Sequence, residues 1–315
     1  MTPKITIGLP VYNGAALLPA ALDSLLGQTL GDFELIIADN ASTDATPEIC
    51  RRYARRDRRI RYLGADRNLG AAANFNRVVP LARGEYFKWA AHDDCCEPEF
   101  LQRCAAVLDA EPAVVLATTR TRRIDATGRP LDIYDFDLDC DGADPVERFA
   151  RMLRGHKCYE VFGLIRTATL RQTDLIGHYA HGDGVLLADL ALRGRLREIP
   201  EPLFLARSHE SQSMAMVLDY HAYTGWFDPA KAGRLVFPCW RILREYLRVI
   251  GRAPISARQR LACYRHVAAW CVHWRRRLRG DLTAAVRHVT GIGRPRPARR
   301  PDPTTSSIHP DGRTS

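Results

Sequence analysis

Short apolar runs alternate with longer stretches of helical periodicity through the first 120 residues. Ile5-Thr6-Ile7-Gly8-Leu9 predicts a strand stopped at Pro10, and residues 15–26 carry apolar side chains on every helical turn. Residues 33–38 predict a second strand, 47–56 a helix, 60–63 a short strand and 68–81 a further helix. The aromatic-rich run 84–90 predicts a buried strand, 98–109 a helix with Pro98 and two acids in its first turn, and 114–117 a closing strand. Strands alternating with helices through short loops imply an α/β doubly wound sheet, which binds ligands at the carboxyl ends of its strands.

The second half is less regular. Residues 118–142 read as a polar, acid-rich excursion with a hairpin turn at Asp125-Ala126-Thr127-Gly128, and 144–154 as a helix with Asp144 as N-cap and Pro145 behind it. Residues 159–165 and 196–206 have strand character, and His181-Gly182-Asp183-Gly184 precedes an apolar helix over 185–192. A polar loop at 207–213 leads into sequence that turns helical beyond residue 217, rich in Trp, Tyr and Arg. These shifts predict three parts: an α/β domain over 1–215, a basic helical region over 216–290 and a disordered tail over 291–315.

Composition adds limits. At 315 residues and 46% hydrophobic, the chain can build a substantial core, and no apolar run approaches the roughly 18 residues a bilayer span needs. The first strand begins almost at once, leaving no room for a signal peptide, and nine irregularly spaced cysteines predict reduced thiols and a cytoplasmic location. Cys95, Cys96 and Cys104 lack paired spacing, while Cys263, His266, Cys271 and His273 fall on different faces of a helix, so neither group reads as a zinc site.

The net charge of +10 is concentrated: residues 241–300 carry 16 Arg against Glu245 and Asp281, a local +14 that leaves −4 for the remainder. No nucleic-acid module is recognisable there, so nucleic acid is not an expected partner. With Trp240, Trp270 and Trp274, the arginines suit peripheral contact with the anionic inner face of a membrane; a packed helical cap or a dimer surface would explain them equally.

The chemistry centres on Asp93-Asp94, just past the predicted strand 84–90. Adjacent carboxylates repel unless a cation joins them, and a hard divalent ion bound to substrate phosphates accepts one or two protein carboxylates. Capping of the following helix is the competing reading.

Several segments together resemble family 2 glycosyltransferases: Pro10-Val11-Tyr12-Asn13, Ile36 to Asp44, Asn68-Leu69-Gly70, and Gly84-Glu85-Tyr86 through Asp93-Asp94, in that order. The resemblance covers residues 3–215. It implies a GT-A fold with a mixed sheet, a nucleotide-diphosphate sugar donor that is commonly UDP-linked, Mg2+ or Mn2+, and inversion at the anomeric carbon. It also implies a saccharide or lipid-linked acceptor in cell-envelope or polysaccharide synthesis. The implied chemistry is coherent: a metal neutralises charge developing on the diphosphate, and a general base takes the acceptor hydroxyl proton from the opposite side of the sugar.

Residue by residue, the resemblance implies that Pro10, Tyr12 and Asn13 contact the nucleotide, that Asp39 hydrogen-bonds its base, and that Arg67 and Asn68 approach phosphate. Asp44 reads as a helix cap. Asp93 matches the metal ligand, and Asp94 the contact to donor sugar or metal-bound water. Ala91 stands where relatives often carry a leading acid; His92 reads as a third ligand or as packing. Asp183 matches the catalytic base, with Gly182 in place of the usual Glu, or else caps its helix. Arg207 and His209, with Ser211 and Ser213, resemble a loop that closes on the diphosphate, with His209 reaching metal or phosphate. A degenerate nucleotide-sugar-binding protein on the same fold and a nucleotidyltransferase are the alternatives, although the latter would favour a Gly- and Lys-rich loop after the first strand.

Overall fold

The computed structural model describes residues 2–136, 138, 140–209, 220–231 and 234–290, with residues 220–223 and 287–290 described by backbone alone. The expected tail at 291–315 and Ser211 and Ser213 lie outside these residues.

Strand β1 (Ile5–Val11) is buried along its whole length and pairs in parallel with β2 (Phe33–Asp39) and β4 (Tyr86–Trp89); β2 pairs in parallel with β3 (Ile60–Gly64). Burial on both faces is why β1, β2 and β4 are apolar runs with little alternation, whereas the edge strand β3 is largely half-buried or exposed. Gly84, before β4, is needed because a Cβ there would meet the backbone nitrogen of Thr6 at 2.5 Å. Beyond β4 the sheet becomes mixed, in the order β3-β2-β1-β4-β8-β6-β9-β5, with β7 paired to β6. β8 (Leu164–Arg166) runs antiparallel to β4 and to β6 (Val114–Ile124), whereas β9 (Arg195–Arg207) runs parallel to β6. The sheet is thus parallel over β1 to β4 and mixed beyond, the doubly wound mixed sheet that the resemblance implied.

Helices α1 (Leu18–Leu26), α2 (Thr46–Arg56) and α4 (Phe100–Ala110) carry residues of one core with the inward side chains of β1 and β2. The other core joins Phe87 and Trp89 to α3 (Ala71–Asn76), α5 (Pro145–Met152), α7 (Gly182–Arg193), α9 (Pro238–Arg252) and α10 (Ala257–His273). Short α6 (Thr167–Leu170), α8 (Tyr220–Phe227) and α11 (Arg275–Thr290) complete the described helices. Tyr246 of α9 meets Phe149 of α5 and Trp270 of α10 edge-to-face, at 6.1 and 5.6 Å between centroids. The basic C-terminal helices thus share the core of the sheet. Among the described residues no helix is long and apolar enough to cross a membrane.

Several elements depart from the sequence pattern for local reasons. α1 starts three residues late because the amides of Gly14 and Ala15 are taken by Thr46 Oγ1 and the Asp44 carboxylate, at 2.9 and 3.1 Å. The helix expected over 68–81 begins only at Ala71, since Gly70 is at φ +85°, and it gives way at Pro80 to a 3-10 turn, Val79–Leu81. α4 begins at Phe100 because Cys95–Cys96 form a two-residue strand, β5, and the Glu97 amide donates to the Leu203 carbonyl at 2.8 Å. The run 118–124 continues β6, with most of its polar residues half-buried or buried, and folds back through the predicted turn, where Gly128 is at φ +89°, into β7 (Pro130–Ile133). Residues 159–165 divide into a 3-10 turn, Tyr159–Phe162, and β8. Asp144 caps α5 as expected, its Oδ1 accepting from the Val146 amide at 2.9 Å.

Candidate active site

β1, β2 and β4 end side by side on a cavity of about 650 Å³, a size suited to a small-molecule ligand. Pro10, Tyr12, Asn13 and Asn68 line it, as do His92, Asp93 and Asp94 after β4, Asp183 in the first turn of α7, and Arg207 and His209 at the end of β9. Segments more than 100 residues apart in sequence meet because of one register. β5 pairs antiparallel with β9, Cys95 opposite Leu205, so the residues before Cys95 run beside those after Leu205. The Arg207 amide accordingly donates to Asp94 Oδ1 at 2.8 Å, and His209 Nε2 lies 2.9 Å from Asp93 Oδ2.

Burial, followed by the charge of Asp93, pushes the Asp94 carboxyl well above the ordinary aspartate range. The Arg207 amide and the charges of Lys88 and Arg207 offset part of that rise, although the hydrogen bonds of the Arg207 guanidinium go elsewhere. The guanidinium is buried and donates to the carbonyls of Asp93, Asp125 and Ala126 at 2.8, 3.2 and 3.2 Å, and to Cys95 Sγ at 3.5 Å. Lys88, fully buried in β4, donates to the Phe162 carbonyl, with its ammonium 4.4 Å from the centroid of Phe100. Two carboxylates and an imidazole at one corner of the cavity, with both nearby cations engaged elsewhere, are a donor set that fits a hard divalent ion. His92 lies at that corner, its Nδ1 4.0 Å from Asp93 Oδ1.

Asp183 follows His181, which is held at φ 67°, and its Oδ1 accepts from the Gly184 amide at 2.9 Å. Burial raises its carboxyl above the usual aspartate range. Beside it, His156 Nε2 and Glu160 Oε2 lie 3.6 Å apart, both buried without a hydrogen-bond partner. Burial lowers the His156 imidazole and pushes Glu160 up to about 7, so this pair tends to neutrality. Burial, then the neighbouring His156, lowers His181 to about 4; its Nε2 lies 3.2 Å from the Tyr246 hydroxyl.

Other predicted positions fall away from the cavity wall. Asp39 is buried beneath it; Oδ1 accepts from the Ser42 amide at 3.0 Å and Oδ2 from the Tyr62 hydroxyl at 2.8 Å. Arg67 is exposed and does not line the cavity. Asn68 spans both roles, lining it while Oδ1 accepts from Asn40 Nδ2 and the Gly70 amide. Asp44 caps α2, accepting from the Thr46 amide at 3.0 Å.

Sequence reasoning passed over Lys157, Tyr159, Phe162, Phe75 and Trp226, which add a cation and a mostly aromatic wall. Tyr159 and Phe162 stood in a run read as strand. Trp226 arrives from α8, and no local pattern ties it to the sheet.

The mixed sheet, with its cavity at the carboxyl ends of β1, β2 and β4, is of the GT-A architecture. Residues 6–175 match the family model described as Glycosyl transferase family 2, and the chain belongs to that family. EpsH of Bacillus subtilis (strain 168) is 27% identical over 208 residues, 66% of this chain and 56% of that protein. A PGL/p-HBAD biosynthesis glycosyltransferase of Mycobacterium bovis (strain BCG / Pasteur 1173P2) is 38% identical over 107 residues, 34% of this chain and 42% of its own. The chain thus spans about half or less of these curated relatives. Among solved structures, S. aureus TarS 1-349 in complex with UDP-GlcNAc superposes with a TM-score of 0.65 at 16% identity, covering 91% of this chain and 81% of that one. That likeness concerns the fold.

Proposed function

We propose that the chain is an inverting glycosyltransferase that moves a sugar from a nucleoside-diphosphate sugar, UDP-linked in our reading, to a hydroxyl of a saccharide or lipid-linked acceptor in cell-envelope or polysaccharide synthesis. The observation that carries this reading is that Asp183 and the Asp93–Asp94 pair, 89 residues apart at the nearest, line one cavity. Solved relatives of the same fold bind such donors: TarS with UDP-GlcNAc, and a Pyrobaculum calidifontis mannosyltransferase with GDP-Man and Mn2+.

Asp93 with His209 would hold Mg2+ or Mn2+, with Asp94 turned to the donor sugar or to metal-bound water. The ion, when bound, offsets charge developing on the departing diphosphate. Pro10, Tyr12, Asn13 and Asn68 bind the nucleotide end. Asp39 supports that end by holding the Ser42 turn, and Arg207 ties β9 to the Asp93–Asp94 turn rather than gripping phosphate through its side chain. Asp183 takes the acceptor proton; burial raises its carboxyl, which makes it a stronger base than a solvated aspartate. Tyr159, Phe162 and Trp226 supply the apolar faces on which sugar rings pack.

We read residues 1–215 as the catalytic unit and 216–290 as a basic region that rests on an anionic membrane face, which would set the protein at the inner side of a membrane. Exposed Leu261, Val272, Leu282 and Val286 interleaved with exposed Arg265, Arg275, Arg276 and Arg279 support that surface. The test is transfer across a panel of UDP- and GDP-sugars with and without added Mn2+. Absence of donor turnover throughout the panel would remove the nucleoside-diphosphate-sugar assignment.

A further inference from the structure

Three potential ligand atoms that the proposed reaction does not need as a set converge on one side of the cavity. The thiol of Cys158, a ring nitrogen of His181 and a carboxylate oxygen of Asp183 lie within 4.8 Å of one another. They come from two separate places, the residue before the Tyr159–Phe162 turn and the start of α7. Both Cys158 and His181 sit in the left-handed region, at φ 58° and 67°, a conformation that costs energy for residues with a Cβ.

We infer that Cys158, His181 and Asp183 form a second cation site, selective for thiophilic ions of the zinc class, whose occupation turns the enzyme off. Thiolate, imidazole and carboxylate are the zinc ligand types, and three protein ligands leave a fourth position open to water from the cavity. Donor atoms around tetrahedral zinc stand about 3.6 Å apart for bonds of 2.0–2.3 Å, so closure from 4.8 Å requires side-chain shifts of about 1 Å. The cavity that Asp183 lines provides the entry path. The Tyr246 hydroxyl, 3.2 Å from His181 Nε2, steadies the ring as outer partners of zinc-bound histidines do.

Binding forms a sulfur–zinc bond and releases the Cys158 thiol proton to solvent, with no change of oxidation state. It also engages the Asp183 carboxylate, which can then no longer accept a proton from the acceptor. The binding rests on geometry alone; the inhibition rests additionally on Asp183 as general base. Mg2+, which prefers oxygen ligands, would not compete at this site but would continue to favour Asp93 and Asp94.

The experiment uses the full-length protein in excess Mg2+, with Co2+ as a spectroscopic stand-in for zinc and Zn2+ for inhibition. A cobalt–thiolate charge-transfer band is expected that Zn2+ displaces, that Cys158→Ser abolishes and that Cys95→Ser leaves in place. Cys158→Ser should weaken zinc inhibition at least about tenfold, each variant being compared with its own zinc-free rate. A band that survives Cys158→Ser and disappears in Cys95→Ser would put the ion beside Asp93 and overturn the site. For the native protein, anomalous diffraction at the zinc edge should give a peak between Cys158, His181 and Asp183; a peak at Asp93 alone would also overturn it. If zinc occupies the site and turnover is unchanged, the inhibitory part of the inference fails together with Asp183 as base, and the binding site stands.

Discussion

His209 Nε2 stands 2.9 Å from Asp93 Oδ2, across 116 residues of sequence. The contact exists because β5 and β9 hold a two-residue antiparallel register. On the proposed reading, His209 is then either a direct metal ligand or the group that orients Asp93. His209→Ala should therefore raise the Mn2+ concentration needed for half-maximal turnover by about 10–100-fold, with kcat at saturating metal far less affected. Metal titration of transfer measures this. An unchanged titration would detach His209 from the metal corner.

Asp183→Asn preserves size and the hydrogen bond from Gly184 while removing the proton acceptor. Turnover should fall by about 10²–10⁴-fold with donor affinity retained. Donor binding by calorimetry beside single-turnover kinetics separates the two, and a drop of less than about threefold would assign the residue to helix capping.

Far from the cavity, Glu34 gives a pH dependence whose sign can be worked out. Burial alone would raise its carboxyl, but hydrogen bonds from Arg83 and Thr6 outweigh that and hold it below the ordinary glutamate range. A lowered folded-state value means stability present above the unfolded value, near 4.3, and lost as pH falls through the folded value. Glu34→Gln should lower the Tm at pH 7, and the gap from the native protein should narrow below about pH 4. A gap independent of pH would mean that packing, not charge, explains the loss.

Gly70, at φ +85°, leaves room at the edge of the cavity for the segment after α8; a Cβ there would meet Pro229 Cδ at 2.5 Å and the Phe227 carbonyl oxygen at 2.7 Å. Gly70→Ala should cost about 1–3 kcal/mol by denaturant unfolding. It should also raise the KM of the donor more than it changes kcat, because Asn68 on the cavity wall is bonded to the same amide. A substitution without effect on stability would show that the segment at 227–229 gives way freely.

The parallel half of the sheet was legible in the sequence because β1, β2 and β4 are buried on both faces and read as largely apolar runs. So were Asp93 and Asp94 on the cavity, since they follow a predicted strand; Asp183, Arg207 and His209, which line the same cavity, were placed in the site by the family resemblance. Three features were not. β5 is two residues long and has no periodicity of its own, only its partner β9. β6 carries polar side chains through half-buried positions, so residues 118–124 looked like a loop. Asp39 stands at the end of β2 as predicted, yet the Ser42 amide in the local turn and the Tyr62 hydroxyl from the paired strand β3 hold its carboxylate below the cavity wall, and the second contact has no local signature. Lys157, Tyr159 and Trp226 come from irregular or distant segments, whose meeting depends on tertiary packing.

The Cys95–Leu205 register also separates what can be lengthened from what cannot. Extra residues in the turn beyond Ala126 would extend a hairpin tip while leaving in place the Asp125 and Ala126 carbonyls that the Arg207 guanidinium holds. One extra residue between Phe204 and His209 would shift the strand's facing by one step, turning Arg207 and His209 away from Asp93. For grafting a different acceptor wall onto this scaffold, the usable seam runs through that turn, and the six residues from 204 to 209 must travel with Asp93 and Asp94 as one cassette.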